Sequence, residues 1–208
     1  MKNILVIGSN SFSGANFSSL ALNKGAKVYG VSRSDEKSKV MLPYKTSNNS
    51  QNFSFMKGDI NKDLRQILNL IDNHEIQYIV NFAAQSMVGQ SWDFPEDWMQ
   101  TNILSISKLA SALRDYKSLK RYIHVTTPES YGSTNGWIKE GNNYFPSTPY
   151  AVSRAASDML LEIYFKEFQI PVIFTRAANV YGPGQQLYRI IPATIFNLLN
   201  NLPINKPK

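Results

Sequence analysis

An apolar run of strand length that breaks into a glycine turn and then into a helix leaves a chain few folds to choose from. Asn3–Gly8 reads as a buried strand, Gly8-Ser9-Asn10-Ser11-Phe12-Ser13-Gly14 as the turn, and Ser13–Lys24 as a helix that stops at Gly25. Glycines in that setting make the tight turn, let backbone approach a pyrophosphate, and bring amides to the positive end of a helix. Ser11 stands at the middle glycine position, where its side chain crowds the approach but brings a hydroxyl able to donate to phosphate. Gly8, Asn10, Ser11, Phe12 and Gly14 are therefore the candidate phosphate-binding residues. A Gly/Ser connection with no ligand is the plain alternative.

The alternation continues along the chain. Lys27–Ser32, Phe53–Lys57, Gln77–Phe82, Arg121–Thr126 and Val172–Arg176 read as further strands, and Lys62–Asn73, Pro95–Tyr116 and Pro149–Phe168 as helices. Apolar strands without a polar face, alternating with helices, imply an α/β fold: a doubly wound parallel sheet covered on both faces. Met41–Asn52 is polar, carries Pro43, and reads as a surface loop. Leu187–Leu202 resembles a helix, and Pro203–Lys208 then ends the chain without another strand. The expectation is a dinucleotide-binding domain over residues 1–180 and the truncated start of a substrate domain over 181–208.

Composition narrows the function. With 208 residues, 43% hydrophobic and 18% charged, the chain has material for a substantial core. Its net charge of +7 comes from scattered lysines and arginines, without a basic block or a basic-aromatic stripe. That pattern suits phosphorylated small molecules and excludes a nucleic-acid groove. The chain has no cysteine, so thiolate catalysis, disulfides and Cys-ligated metals are excluded, and a cytoplasmic protein is expected. His74 and His124 lack metal-ligand spacing, so no metal is expected. The apolar run Ile4–Ile7 is far short of the ~20 residues of a membrane span, so no membrane partner is expected either.

Two places carry chemical specificity. Arg33 stands at the end of the second strand, where an acid would bind a ribose 2′-hydroxyl and an arginine suits a 2′-phosphate. NADP is thereby favoured over NAD, although Asp35 lies close by and opposes it. In Ser147-Thr148-Pro149-Tyr150-Ala151-Val152-Ser153-Arg154, Thr148 suits a helix cap and Pro149 the first helical position. Tyr150 and Arg154 then share one helix face about 6 Å apart along the axis. A fixed cation favours the phenolate, and an activated phenol is suited to taking a proton from an alcohol. Many solvated helices carry such a pair without using it.

With these motifs in order, the chain resembles the extended short-chain dehydrogenase/reductase superfamily, in particular its nucleotide-sugar 4,6-dehydratases of the GDP-mannose type. The resemblance also rests on Gly58-Asp59-Ile60, Asn81-Phe82-Ala83-Ala84-Gln85-Ser86, Thr101-Asn102, Thr126-Thr127-Pro128-Glu129-Ser130-Tyr131-Gly132, and the run Arg176–Gly184. It implies a Rossmann-like domain and an NAD(P)-dependent lyase acting on a nucleotide sugar, forming a homodimer through the helices Pro95–Tyr116 and Pro149–Phe168. By the family's register, Asp59, Ile60, Phe82, Ala83, Ala84, Gln85, Asn102, Thr126, Ala177, Asn179 and Val180 would line the cofactor, with Tyr150 and Arg154. Ser86, Thr127, Asn179 and Arg189 would touch the substrate.

The family's chemistry, mapped here, has Tyr150 take the sugar C4 hydroxyl proton, Thr127 orient that oxygen, and Glu129 remove the C5 proton before water leaves C6. Two positions depart from the superfamily's pattern. Arg154 replaces its usual lysine, keeping the charge that lowers the Tyr150 pKa but with a planar, longer head. Pro128 falls where the dTDP-glucose type carries an acid; the GDP-mannose type also lacks an acid there, so the donor to the departing hydroxyl is unnamed. A 4-epimerase shares the tyrosine and cofactor, and Glu129 after Thr127 argues for the dehydratase. A non-catalytic dinucleotide-binding module is the alternative of another class, favoured by Arg154 and Ser11.

Overall fold

Every apolar run of strand length finds a parallel neighbour. A computed structural model describes residues 1–204 of the chain; the last part of the expected tail, residues 205–208, lies outside the described residues. The elements are β1 (Asn3–Ile7), α1 (Phe12–Asn23), β2 (Lys27–Ser32), β3 (Phe53–Lys57), α2 (Leu64–Asn73), β4 (Tyr78–Asn81), α3 (Pro95–Met99), α4 (Ser105–Leu113), β5 (Arg121–Thr126), α5 (Pro149–Phe168), β6 (Val172–Arg176) and α6 (Ile190–Leu199). The strands form a sheet in the order β3-β2-β1-β4-β5-β6, all pairs parallel. The order reverses direction between β1 and β4, which opens a crevice beyond the carboxyl ends of those strands.

The period of two along β1 explains the layers. Leu5 and Ile7 face one side, with Ile67 and Ile71 of α2, Ile106, Leu109 and Leu113 of α4, and Leu161 of α5. Ile4 and Val6 face the other, with Ala15 and Leu22 of α1. Both faces are covered, so no polar alternation is needed in the inner strands.

Three expectations change. Residues 41–52 are not a loop lying on the surface. They wind through short 3₁₀ turns at Lys39–Met41, Pro43–Thr46 and Ser50–Asn52, and they bury Leu42 and Tyr44 against α1 and Phe53. The helix expected over Pro95–Tyr116 ends at Leu113 and contains a π turn, Gln100–Leu104, between α3 and α4. The helix expected over Leu187–Leu202 shortens to α6, which buries none of its residues. Among the described residues no helix is long and apolar enough to cross a membrane.

Candidate active site

The glycine turn has little room for anything else. Gly8 adopts φ +89°, and a Cβ there would sit 2.8 Å from the Ala83 amide nitrogen at the end of β4. A Cβ on Gly14 would meet the Gly8 carbonyl oxygen at 2.2 Å. The two glycines therefore let α1 start directly against the strand ends. Ser11 caps that helix, its Oγ accepting from the Gly14 amide at 3.0 Å, which leaves the hydroxyl proton for another acceptor. The amides of Phe12 and Ser13, the first two of α1, have no intrahelical acceptor by construction. Such a start attracts an anion.

The ribose end is built from β2 and the turn together. Asn10 is buried; its amide donates to Ser32 Oγ at 2.9 Å, and its Nδ2 donates to the carbonyls of Ser34 and Asp35. The Tyr44 hydroxyl lies 3.0 Å from Asn10 Oδ1 and 2.9 Å from Glu36 Oε1. So the segment bearing Arg33 is clamped from beneath while Arg33 itself is exposed. Asp35 is ion-paired with Lys57 at 2.8 Å, which holds its carboxyl below the usual range.

At the far side of the crevice, Thr148 caps α5 by accepting from the Ala151 amide at 3.1 Å, with Pro149 in the first turn as expected. Tyr150 is seated by its own amide, which donates to Ser91 Oγ at 3.1 Å. The phenol pKa is raised by burial, while Arg154 and the Thr127 hydroxyl pull it down, Glu129 pushes it up, and Arg189 also pulls it down. The four groups thus act on one phenol. The expected net lowering by Arg154 does not occur, because desolvation of the phenolate outweighs the guanidinium. Glu129, in the short 3₁₀ turn after β5, has its carboxyl pushed up by partial burial.

Arg154 departs most from expectation. Its side chain is 1% exposed, and Nη2 donates to the Val125 carbonyl and lies 3.2 Å from His124 Nε2, while Nη1 has no protein partner. The guanidinium is thus anchored to β5, and one buried nitrogen is left over. Asn102, in the π turn, is spent on the scaffold: Nδ2 donates to the Gln85 carbonyl and to Ser153 Oγ, and Oδ1 accepts from the Gln85 amide. It holds the β4 loop to α5. The Thr126 hydroxyl points inward and donates to Asp158 Oδ2 at 3.1 Å, so its side chain does not line the crevice. Ile60 packs in the core cluster, and Asp59 Oδ1 accepts from the Asn61 amide at 2.8 Å.

Phe82, Ala83, Ala84 and Gln85 are partly buried beyond β4, and Ser86 is exposed. Ala177, Asn179 and Val180 are exposed beyond β6, on a segment that brings Gly182 against the Phe12 ring. Asp158, Arg176 and His124 were not among the expected site residues. Asp158 lies one turn beyond Arg154, on the same helix face, and that spacing was its only signal in the sequence. Among the described residues no cluster of His, Asp and Glu could hold a metal ion.

Known proteins share this sequence pattern and this fold. Residues 5–207 match the family model described as GDP-mannose 4,6 dehydratase. The dTDP-glucose 4,6-dehydratase of Xanthomonas campestris pv. campestris is 32% identical over 210 residues, covering 96% of this chain and 59% of that protein. The chain thus spans about three fifths of such relatives' length. A solved dTDP-glucose 4,6-dehydratase from Bacillus anthracis, in complex with NAD, superposes with TM-score 0.82 at 29% identity, covering 98% of this chain and 63% of that one. The UDP-glucuronic acid 4-epimerase of Bacillus cereus, in complex with UDP-glucuronic acid and NAD, gives 0.78 at 29% identity, covering 97% and 64%. The chain belongs to the GDP-mannose 4,6 dehydratase family, within the extended short-chain dehydrogenase/reductases.

Proposed function

We propose that this chain carries the cofactor-binding and proton-transfer half of a nucleotide-sugar 4,6-dehydratase of the dTDP-glucose or GDP-mannose type. The observation that carries it is the placement of Tyr150, fixed in the first turn of α5 by its amide on Ser91 Oγ and within electrostatic reach of Thr127, Glu129, Arg154 and Arg189, on the same parallel sheet as the glycine turn. The Gly8–Gly14 turn fits a dinucleotide, because its glycines let α1 start directly against the strand ends, where the first amides of the helix, without intrahelical acceptors, suit a pyrophosphate. When bound, the nicotinamide supplies hydride acceptance and return. Tyr150, helped by Thr127, takes the proton from the C4 hydroxyl. Glu129 takes the C5 proton once C4 is a ketone, and its raised pKa suits it to return a proton to the hydroxyl leaving C6, since Pro128 offers none.

Arg33, exposed beside an Asp35 already paired with Lys57, favours a 2′-phosphate on the cofactor ribose. Ser86, Asn179 and Arg189 are assigned to the sugar diphosphate, and residues 181–208 to the start of the substrate lobe. α5 exposes Val152, Met159 and Ile163, one stripe at helical spacing beside α3 and α4, which suits a second copy in a homodimer. The lack of cysteine suits a cytoplasmic enzyme. A 4-epimerase is the second reading, since an epimerase structure superposes nearly as well as a dehydratase; it has no use for Glu129.

Replacing Glu129→Gln should abolish 4-keto-6-deoxy product from dTDP-glucose and GDP-mannose while leaving cofactor bound; unchanged turnover removes Glu129 from the mechanism. For the ribose, Arg33→Ala should weaken NADPH binding about tenfold and NADH binding little. Equal losses for both cofactors would contradict the assignment.

A further inference from the structure

The connection between the two candidate proton-transfer groups is a long one: Glu129 lies in the turn Pro128–Tyr131 after β5 and Tyr150 in the first turn of α5, and residues 132–148 join the turn to the helix. A free segment of that length would leave their spacing loose, yet this one is tied down. Gly132 turns with φ +74°, a Cβ there would meet the Phe145 carbonyl oxygen at 2.0 Å, and the Phe145 amide donates to the Ser130 carbonyl at 3.0 Å. The Tyr131 and Tyr144 rings stack 5.8 Å apart, and the Arg176 guanidinium carbon lies 5.1 Å from the first ring and 5.7 Å from the second.

Asn142 Nδ2 donates to Glu162 Oε1 on the exposed side of α5 at 2.6 Å, and one arginine nitrogen joins the segment to the buried Asp158. Arg176 Nη2 donates to the Tyr144 hydroxyl at 2.8 Å and to Asp158 Oδ2 at 2.9 Å. Asp158 is fully buried on α5, two turns beyond Tyr150, and the same oxygen accepts from Thr126 Oγ1 at the end of β5. Hence one ion pair, with its carboxylate fully buried, touches β5, α5, β6 and the segment; Tyr150 lies on α5, Thr127 and Glu129 directly follow β5, and Asn179 follows β6. We propose that Asp158 and Arg176 are positioning residues, which lock residues 132–148 through Tyr144 and so set the distance between Glu129 and Tyr150. What is being positioned rests on the proposed dehydratase reaction; that the segment is locked does not.

The test uses the exposed Lys139 in the middle of the segment as a trypsin site at pH 8, scoring fragments 1–139 and 140–208 by mass, with thermal melting as a check on folding. Arg176→Met should speed this cleavage about tenfold, and Arg176→Lys should fall between it and the parent. Tyr144→Phe, which keeps the stacked ring and removes only the acceptor hydroxyl, should speed it about threefold whether or not the arginine variants fold. Cleavage of Tyr144→Phe at the parent's rate overturns the proposal. In folded Arg176→Met, turnover of dTDP-glucose should fall in kcat with KM and NADH affinity nearly unchanged, and Arg176→Lys should recover part of it. A fall confined to KM would also overturn it. Absence of turnover in the parent counts against the dehydratase reading alone, and the protease result then decides the lock.

Discussion

Arg154 shows how one side chain can keep a charge and change its address. The ammonium of a lysine is a compact point charge, whereas a guanidinium has a fan of donors that is satisfied best by several acceptors at once. Here it finds the Val125 carbonyl and the edge of His124, and it lowers the Tyr150 pKa from within the fold against a larger upward push from burial. Removing it leaves only the push. Arg154→Met should therefore move the ascending, acidic limb of the kcat/KM profile to higher pH and reduce turnover at pH 7, because less phenolate is present there. Arg154→Lys should bring the limb back part of the way. Parent and Arg154→Met profiles that coincide would show that this cation does not tune the phenol.

Helix α5 does three jobs with three faces. Its first turn presents Tyr150, its inner face buries Ala151, Arg154, Ala155, Asp158 and Leu161, and its outer face exposes Val152, Met159 and Ile163. Apolar exposure at positions i, i+7 and i+11 makes one stripe, and two such stripes pack as a helical bundle. Met159→Glu combined with Ile163→Glu should convert a dimer to monomer in sedimentation velocity while leaving the circular dichroism spectrum unchanged. A parent that sediments as a monomer, or a double variant that stays dimeric, would remove the bundle. The neighbouring α3–α4 helix carries the opposite kind of signal. Its π turn at Gln100–Leu104 inserts a residue into an otherwise regular helix, and it is this turn that carries Asn102, bonded to Gln85 and Ser153. Pattern reading gives one helix from Pro95 onward, because a bulge leaves the apolar period almost intact.

Two buried groups with opposite linkage lie behind the sheet edge, His124 Nε2 and Asp158 Oδ1 3.8 Å apart. Burial, with Arg154 and Arg176 nearby, holds the imidazole pKa well below its ordinary value. Below pH ~6.5 the unfolded chain takes a proton that folded His124 refuses, so this group costs stability as pH falls. Burial raises the Asp158 pKa from 3.8 to about 6, against the pull of both arginines. Between those values the folded chain holds a proton the unfolded chain lacks, so that contribution is complete below pH 3.8 and is lost as pH rises through 6. Its size is about 3 kcal/mol, for a shift of about two units at 1.36 kcal/mol each. The two effects nearly cancel between pH 6 and 4. Relative to the parent, His124→Gln should gain stability in urea unfolding as pH falls through that window, and Asp158→Asn should lose it at about 1.4 kcal/mol per unit. Curves for both variants that run parallel to the parent's would show that neither group titrates as described.

Strand order along the chain, the glycine turn, the cap of α5 and the pairing of Tyr150 with a cation were legible in the residues, because apolar periodicity, glycine φ preference and helix spacing act over a few positions. The six strands fall where the apolar runs are, within a residue or two at the ends of β1 and β4. The burial of Leu42 and Tyr44 was not legible, since a polar segment with one proline shows nothing of the groove beside α1 that receives it. Nor was the inward turn of Arg154 and Thr126, or the meeting of Asp158 with Arg176 from a helix and a strand 18 residues apart. Those facts depend on desolvation and on charges brought together by the sheet, and such terms take their sign from neighbours that are distant along the backbone.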